Sequence, residues 1–281
     1  MTLLVRDEAD VIDAQLAFHL NAGVALAIVT DHRSSDGTSA LLERHARNGS
    51  VVVIREEREE YLESEYMTRM ARLAATEFGA DWVINSAADE FWWPRGPDLE
   101  AVLSVVPSRY GVVHGIVRNF IPRPDDGGDF AERMTLRLAP TAPINDPTSP
   151  WRPYAKVVHR AYPRVVVARG SHALLAGDLL PLRGWSPIEV LHFGIRSPAQ
   201  SARKAAAMWT AFSDPAGRGR GTTPARTGAS SGGAPTTTSS RSSSRTRTPP
   251  TAWHAARWCP THGSATPSGS CATRTARSPA R

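Results

Sequence analysis

Ala80-Asp81-Trp82-Val83-Ile84-Asn85-Ser86-Ala87-Ala88-Asp89-Glu90-Phe91-Trp92-Trp93-Pro94 is the stretch on which the fold turns. Trp82-Val83-Ile84 is a short apolar run of the kind that forms a buried strand. It runs straight into two acids, Asp89-Glu90. Acids directly behind a buried strand are poor sheet-core residues, so the spacing places them at the rim of a sheet.

Working back toward the N-terminus, the same unit repeats. Leu3-Leu4-Val5, Ala25 to Val29 and Val51 to Ile54 each read as strands. Helical spacing follows each one. Val11, Ile12, Leu16, His19 and Leu20 share one face, and Gly23 ends that helix where a left-handed residue costs little. Leu41 and Leu42 mark a second helix. Tyr66, Met67, Met70, Leu73, Ala74 and Phe78 mark a third, over about 62–78. The segment Asp31 to Thr38 between strand and helix is a loop by composition. Four alternations with short connections predict an α/β fold with a mostly parallel sheet covered by helices. Right-handed crossovers then gather the strand C-termini on one edge, where such folds bind ligands.

Working forward from Pro107, strands dominate. Gly111 to Val117, Met134 to Leu138, Ala155 to His159, Val165 to Ala168 and Ile188 to Phe193 are predicted strands, and Pro122 to Asp129 is a predicted surface loop. Ser197 to Phe212 closes the pattern as a helix with Ala202, Ala205, Ala206 and Trp209 on one side. One continuous domain over 1–212 accounts for this best.

Residues 213–281 are a different material. They contain no Leu, Ile, Val, Phe, Tyr, Met, Lys, Glu, Asn or Gln. Such a segment buries too little apolar surface to offset its ordering entropy, and it reads as disordered. Ten arginines against one acid, Asp214, give it +9, so residues 1–212 carry −3 of the chain's +6. The basic character therefore belongs to the tail and does not mark a nucleic-acid-binding domain. Its Ala/Arg/Gly/Pro/Ser/Thr alphabet is what a GC-rich gene yields out of frame, so a frameshift near codon 213 is expected. A true linker and a basic tail for an anionic partner are the rival readings. Both cysteines, Cys259 and Cys271, lie there without C-x-x-C spacing. No signal-like or membrane-spanning apolar run is visible, and a cytoplasmic protein is the default expectation.

The ordered series LVRDEADVI, FHLNAGV, IVTDHRSSDGT and ADWVINSAADEFWWP resembles family 2 glycosyltransferases, especially the bacterial branch with a D-A-D-E-F motif. The resemblance covers about Thr2 to Pro94 and continues more weakly to about residue 210. It implies a GT-A fold, a nucleoside-diphosphate sugar donor, a glycan or glycoconjugate acceptor, and Mg²⁺ or Mn²⁺. By that resemblance Arg6, Glu8, Asp31, Asp89 and Arg196 bind the nucleotide sugar, with Asp31 against the base and Asp36-Gly37-Thr38 shaping the loop after it. Asp89 and His192 hold the metal, and Arg196 and Lys204 face the leaving group. Lys156 and His172 are candidates for the acceptor side.

One position departs from the motif. The first acid of D-x-D is Ala87 here, which removes charge and one ligand from the site. A second reading therefore stands beside the enzyme, a non-catalytic nucleotide-sugar binder or inactive remnant. A third is an anionic-polymer binder acting through the tail. Asp125, Asp126, Asp129, Asp146, Asp178 and Glu189 are possible catalytic bases, none in a motif.

Several of these residues also carry structural readings. Asp7 and Glu8 suit a cap on the first helix, and Asp36 a cap on the second. His192 and His19 suit the core. Trp92 and Trp93 suit either core packing or stacking on a sugar ring. The run Arg55 to Glu60 reads as a solvated loop or helix start.

Overall fold

Three strand–helix units build the first half of the chain. They are β1 (Thr2–Val5), α1 (Ile12–Asn21), β2 (Ala27–His32), α2 (Thr38–Ala46), β3 (Val51–Glu56) and α3 (Glu63–Thr76). β4 (Trp82–Ser86), β5 (Glu90–Pro94) and α4 (Leu99–Ser104) follow. The second half contributes β6 (Val112–Asn119), α5 (Phe130–Arg133), β7 (Ala155–Arg160), β8 (Val166–Val167), β9 (Leu174–Ala176), β10 (Ile188–His192) and α6 (Pro198–Ser213). This is a computed structural model, and it describes residues 1–124, 126–139, 142–144, 146, 148 and 153–213.

Eight strands form one mixed sheet in the order β3-β2-β1-β4-β7-β6-β10-β5. β3, β2, β1 and β4 run parallel, as do β6 and β10, while β7 and β5 run antiparallel to their neighbours. Parallel strands buried on both faces need apolar residues at successive positions. β1 is buried at all four residues and β2 at all six, with the apolar runs Leu3 to Val5 and Ala27 to Val29 meeting that requirement and Thr30, Asp31 and His32 buried beyond it. α3 lays Tyr66, Met67, Met70, Ala71 and Ala74 over Leu4, Ile28 and Val83 on one face. The alternate residues Leu3 and Val29 are just as fully buried on the other.

The sheet has to bend. Only three residues separate β4 from β5, yet four strand spacings lie between them in the sheet. Flat, that distance is about 19 Å, whereas the four Cα steps from Ser86 to Glu90 reach at most about 14 Å. The far half therefore curls so that the turn Ala87-Ala88-Asp89 can join the middle of the sheet to its edge strand. An aromatic cluster lines this half, with Phe120 stacked on Phe193 at 4.4 Å and Phe91 edge-on to Phe193 at 5.6 Å.

Some expectations are corrected. Glu90 does not sit in a loop; it opens β5, and Trp92 lies in the core at 0 % exposure. Met134 to Leu138 is not a strand, because Met134 caps α5 and only the isolated bridge Phe120–Arg137 forms there. α3 stops at Thr76, and Gly79 turns the chain at φ 59, so Phe78 leaves the helical face and stands exposed. Arg55 and Glu56 finish β3 rather than a solvated loop. On α6, Ala202, Ala205 and Ala206 face solvent, while Gln200 is buried and Lys204 turns inward. The side chain of Trp209 and the tail from 214 onward lie outside the described residues. No helix among the described residues is long and apolar enough to cross a membrane.

Candidate functional site

Asp89 ends the short turn behind β4 and is 1 % exposed. Its backbone carbonyl accepts from the Phe193 amide at 3.0 Å, which fixes it beside the end of β10. Its carboxylate Oδ2 faces three nitrogen-bearing side chains. Lys204 Nζ bonds to it directly, His192 Nε2 is 3.5 Å away, and Arg196 Nη1 is 3.9 Å away. Burial works to raise the Asp89 pKa, but His192 and Lys204 outweigh it and hold the carboxyl well below the ordinary range. For Lys204 burial works downward, and Asp89 and Glu8 more than reverse it, leaving its pKa raised. The pair is charged on both sides.

His192 is aimed by a second set of contacts. Its Nδ1 is 2.7 Å from Asn119 Oδ1 and 3.4 Å from the Tyr154 hydroxyl. The contact of Nδ1 with Asn119 leaves Nε2 as the ring nitrogen turned toward Asp89. A Cβ on Gly194 would stand 3.0 Å from this ring, so glycine gives the imidazole its room. Register reinforces the grouping, since His192 pairs with Asn119 on one side and Glu90 on the other.

Ligand atoms of Asp89, Glu90 and His192 lie within 4.8 Å of one another. Two carboxylates with an imidazole held by its other nitrogen fit a divalent cation, and the imidazole favours Mn²⁺ over Mg²⁺. Glu90 is the weaker donor of the three. Its Oε1 is 2.7 Å from Lys156 Nζ, and its Oε2 accepts from the Ala87 amide at 3.1 Å. Ala87 itself offers no carboxylate, so Asp89 and His192 carry the fit.

Arg196 is brought to the site, but its guanidinium is committed. Nε and Nη2 make a bidentate pair with Asp10 at 2.9 Å each, and Nη2 also reaches Glu8 at 2.7 Å. It is 2 % exposed and ties the β1–α1 loop to the chain behind β10. It is placed as a structural tether and not as a free phosphate ligand. Glu8 consequently lies beside the site but is ion-paired; burial and the Asp89 charge push its pKa up. Asp10 and Asn119 are partners that the sequence reading missed. The E-x-D spacing from Glu8 to Asp10 was the available signal for the first.

Asp31 belongs to a neighbouring cleft. It is the last but one residue of β2, level with Val5 and two strands from β4. Its carboxylate accepts from Ser34 N at 3.2 Å, Ser39 Oγ at 2.5 Å and Arg55 Nη1 at 2.6 Å. A cleft of about 240 Å³ opens there, lined by Asp31, Arg33, Ser34, Ser39, Arg55 and Glu57. Arg55 and Glu57 thus join a pocket, although their charge run had suggested only solvated surface. Arg6 is exposed at the end of β1.

Asp7 and Glu8 do not cap α1, whose first turn has no side-chain cap. Asp7 instead accepts from Ser35 N at 2.7 Å, lacing the loops behind β1 and β2 together. Asp36 is not the cap of α2 either: Gly37 holds that position without a side-chain cap bond, and Asp36, one residue earlier, accepts from Thr38 N at 3.0 Å and Thr38 Oγ1 at 2.6 Å. His19 is structural, with Nε2 accepting from Trp92 N at 3.0 Å. On the acceptor side, Lys156 is spent on Glu90, and His172 Nδ1 meets the Ala155 carbonyl at 2.9 Å.

The acids considered as bases are occupied elsewhere. Asp129 caps α5, Asp126 accepts from Gly128 N, Asp146 accepts from Thr148, and Asp178 sits in a left-handed turn. Glu189 is ringed by Arg95, Arg118 and Arg137 on the sheet face opposite His192. Asp125 lies outside the described residues.

Compared with known proteins, the chain matches no family model and no curated protein at a significant level.

Proposed function

We propose that this chain is a glycosyltransferase of the family 2 kind, on a GT-A-like frame, moving a sugar from a nucleoside-diphosphate donor to a glycan or glycoconjugate acceptor. The observation that carries the reading is the buried Asp89 carboxylate meeting His192 and Lys204 at the sheet edge where β4 ends. The polar cleft at Asp31, at the end of β2, supports it as the nucleoside end of a donor site.

In this reading Ser34, Ser39 and Arg55 border the pocket for base and ribose, and Asp31 holds those groups in place. Asp89 and His192 would hold a divalent cation, whose charge would offset that of the leaving diphosphate. The acceptor oxygen bonds to the anomeric carbon, the carbon–phosphate-oxygen bond breaks, and the nucleoside diphosphate leaves with the electron pair. The hydroxyl proton passes to a base that none of the described acids identifies.

Calorimetry with UDP and GDP, with and without Mn²⁺, tests the site. Binding in the presence of Mn²⁺ that is lost in Asp89→Asn is the expected result. Silence under every condition overturns the reading.

Ala87 and the commitment of Arg196 to Glu8 and Asp10 favour a second reading, a binder or inactive remnant. Slow donor hydrolysis that rises in Ala87→Asp and vanishes in Asp89→Ala identifies an enzyme short of one acid. Nucleotide binding with no hydrolysis in either variant identifies the binder.

A further inference from the structure

Lys204 stands on the oxygen that a divalent cation would need. Its ammonium bonds to Asp89 Oδ2, the same atom faced by His192 Nε2 and Arg196 Nη1. Of the three, Lys204 is the most exposed, 35 % against 23 % for His192 and 2 % for Arg196. Lys204 therefore closes Asp89 off on the solvent side. Arg196 is fixed by Glu8, Asp10 and the Phe193 carbonyl and cannot follow a ligand. Lys204 hangs on a flexible four-carbon stem with rotatable donors and can.

The local charge sharpens the point. Glu8, Asp10 and Asp89 face Arg196 and Lys204, while Glu90 and Lys156 cancel. Over these five side chains the balance is negative by one, which repels a diphosphate. A divalent cation on Asp89 reverses the sign, but only after the ammonium has left Oδ2.

We infer that Lys204 is an exchangeable counter-ion: it neutralises Asp89 until a divalent cation binds there, then turns its ammonium to the phosphates of the incoming nucleotide. The phosphate half rests on the function proposed above, whereas the cation half does not. Neutralising a buried carboxylate without metal keeps the turn behind β4 stable in the free protein. Releasing Lys204 at the moment of loading delivers a positive charge where the diphosphate arrives.

The two halves make opposite demands on one substitution. In Lys204→Met the competitor is gone, so Mn²⁺ alone, followed by electron paramagnetic resonance titration, binds about tenfold tighter or more. UDP in saturating Mn²⁺, followed by calorimetry, binds about tenfold weaker because its own contact is lost. Lys204→Arg, which keeps the charge, retains the weak Mn²⁺ binding of the unchanged chain and guards against a folding artefact in the methionine variant. Adding Asp89→Asn to Lys204→Met removes the tight Mn²⁺ site. Equal or weaker Mn²⁺ binding in Lys204→Met overturns the proposal, as does no Mn²⁺ binding by either protein. Tighter Mn²⁺ binding with no UDP binding by any variant supports the exchangeable lysine and overturns the transferase reading.

Discussion

His19 shows how a single buried imidazole ties acidity to stability. Its Nδ1 is 2.8 Å from the Gln15 carbonyl, its Nε2 accepts from the Trp92 amide, and burial lowers its pKa to about 3 from 6.5. The unfolded chain therefore takes up a proton at this residue as pH falls through 6.5, and the folded chain refuses it until about 3. Stability is lost across that window at up to ~1.4 kcal/mol per pH unit and, for this group, not further below it. Thermal melts from pH 7 to 4 on the native chain and on His19→Gln should differ by one proton in slope. Equal slopes would show that His19 is protonated in the fold. At the same scale, Glu90 and Lys156 are both buried and paired at 2.7 Å, so removing either leaves the other buried without its partner.

Among the elements, the junction between the β1–α1 loop and the segment behind β10 hangs on Arg196. Removing it leaves Glu8 and Asp10 facing each other near Asp89 without their shared cation. Arg196→Ala should cost about 3–5 kcal/mol, lowering the melting temperature by roughly 6–20 °C for a body of this size. Arg196→Lys should recover less than half, since an ammonium cannot repeat the bidentate geometry. An unchanged melting curve for the alanine variant would remove Arg196 from the tethering role.

The units that were legible in the sequence are those whose burial is set locally. β1 to β4 and α1 to α3 carry their apolar period within a few residues, and they lie close to where that period puts them. β5 was hidden because its partner is β10, some hundred residues on, and because its first residue is an acid. α6 was found but turned the wrong way. Three alanine methyls gain little from burial, about 0.8 kcal/mol each at most, and a buried Asp89 in need of a counter-charge draws Lys204 inward instead. The grouping of Asp89 with His192 was an expectation of the motif series, whereas Asp10 offered only its E-x-D spacing with Glu8, and Asn119 carried no signal of its own until the strands were in register.

For the whole molecule, the charge asymmetry predicts separable behaviour. Deleting residues 214–281 removes +9 and leaves a body of −3. The truncated chain should lose retention on heparin while its melting temperature stays within about 2 °C. Retention that survives truncation would place anion binding on the body. Sheet order carries another consequence. Among the described residues β5 bonds only to β10, so the strand that follows the Asp89 turn has no partner until Ile188 to His192 has been made and docked. Such distant pairing is slow to form, and a nascent chain halted before residue 188 would expose Phe91 and Trp92 on an unzipped ribbon, ready to stick to its neighbours. The corner that carries Asp89 is thus among the last parts of this protein to settle.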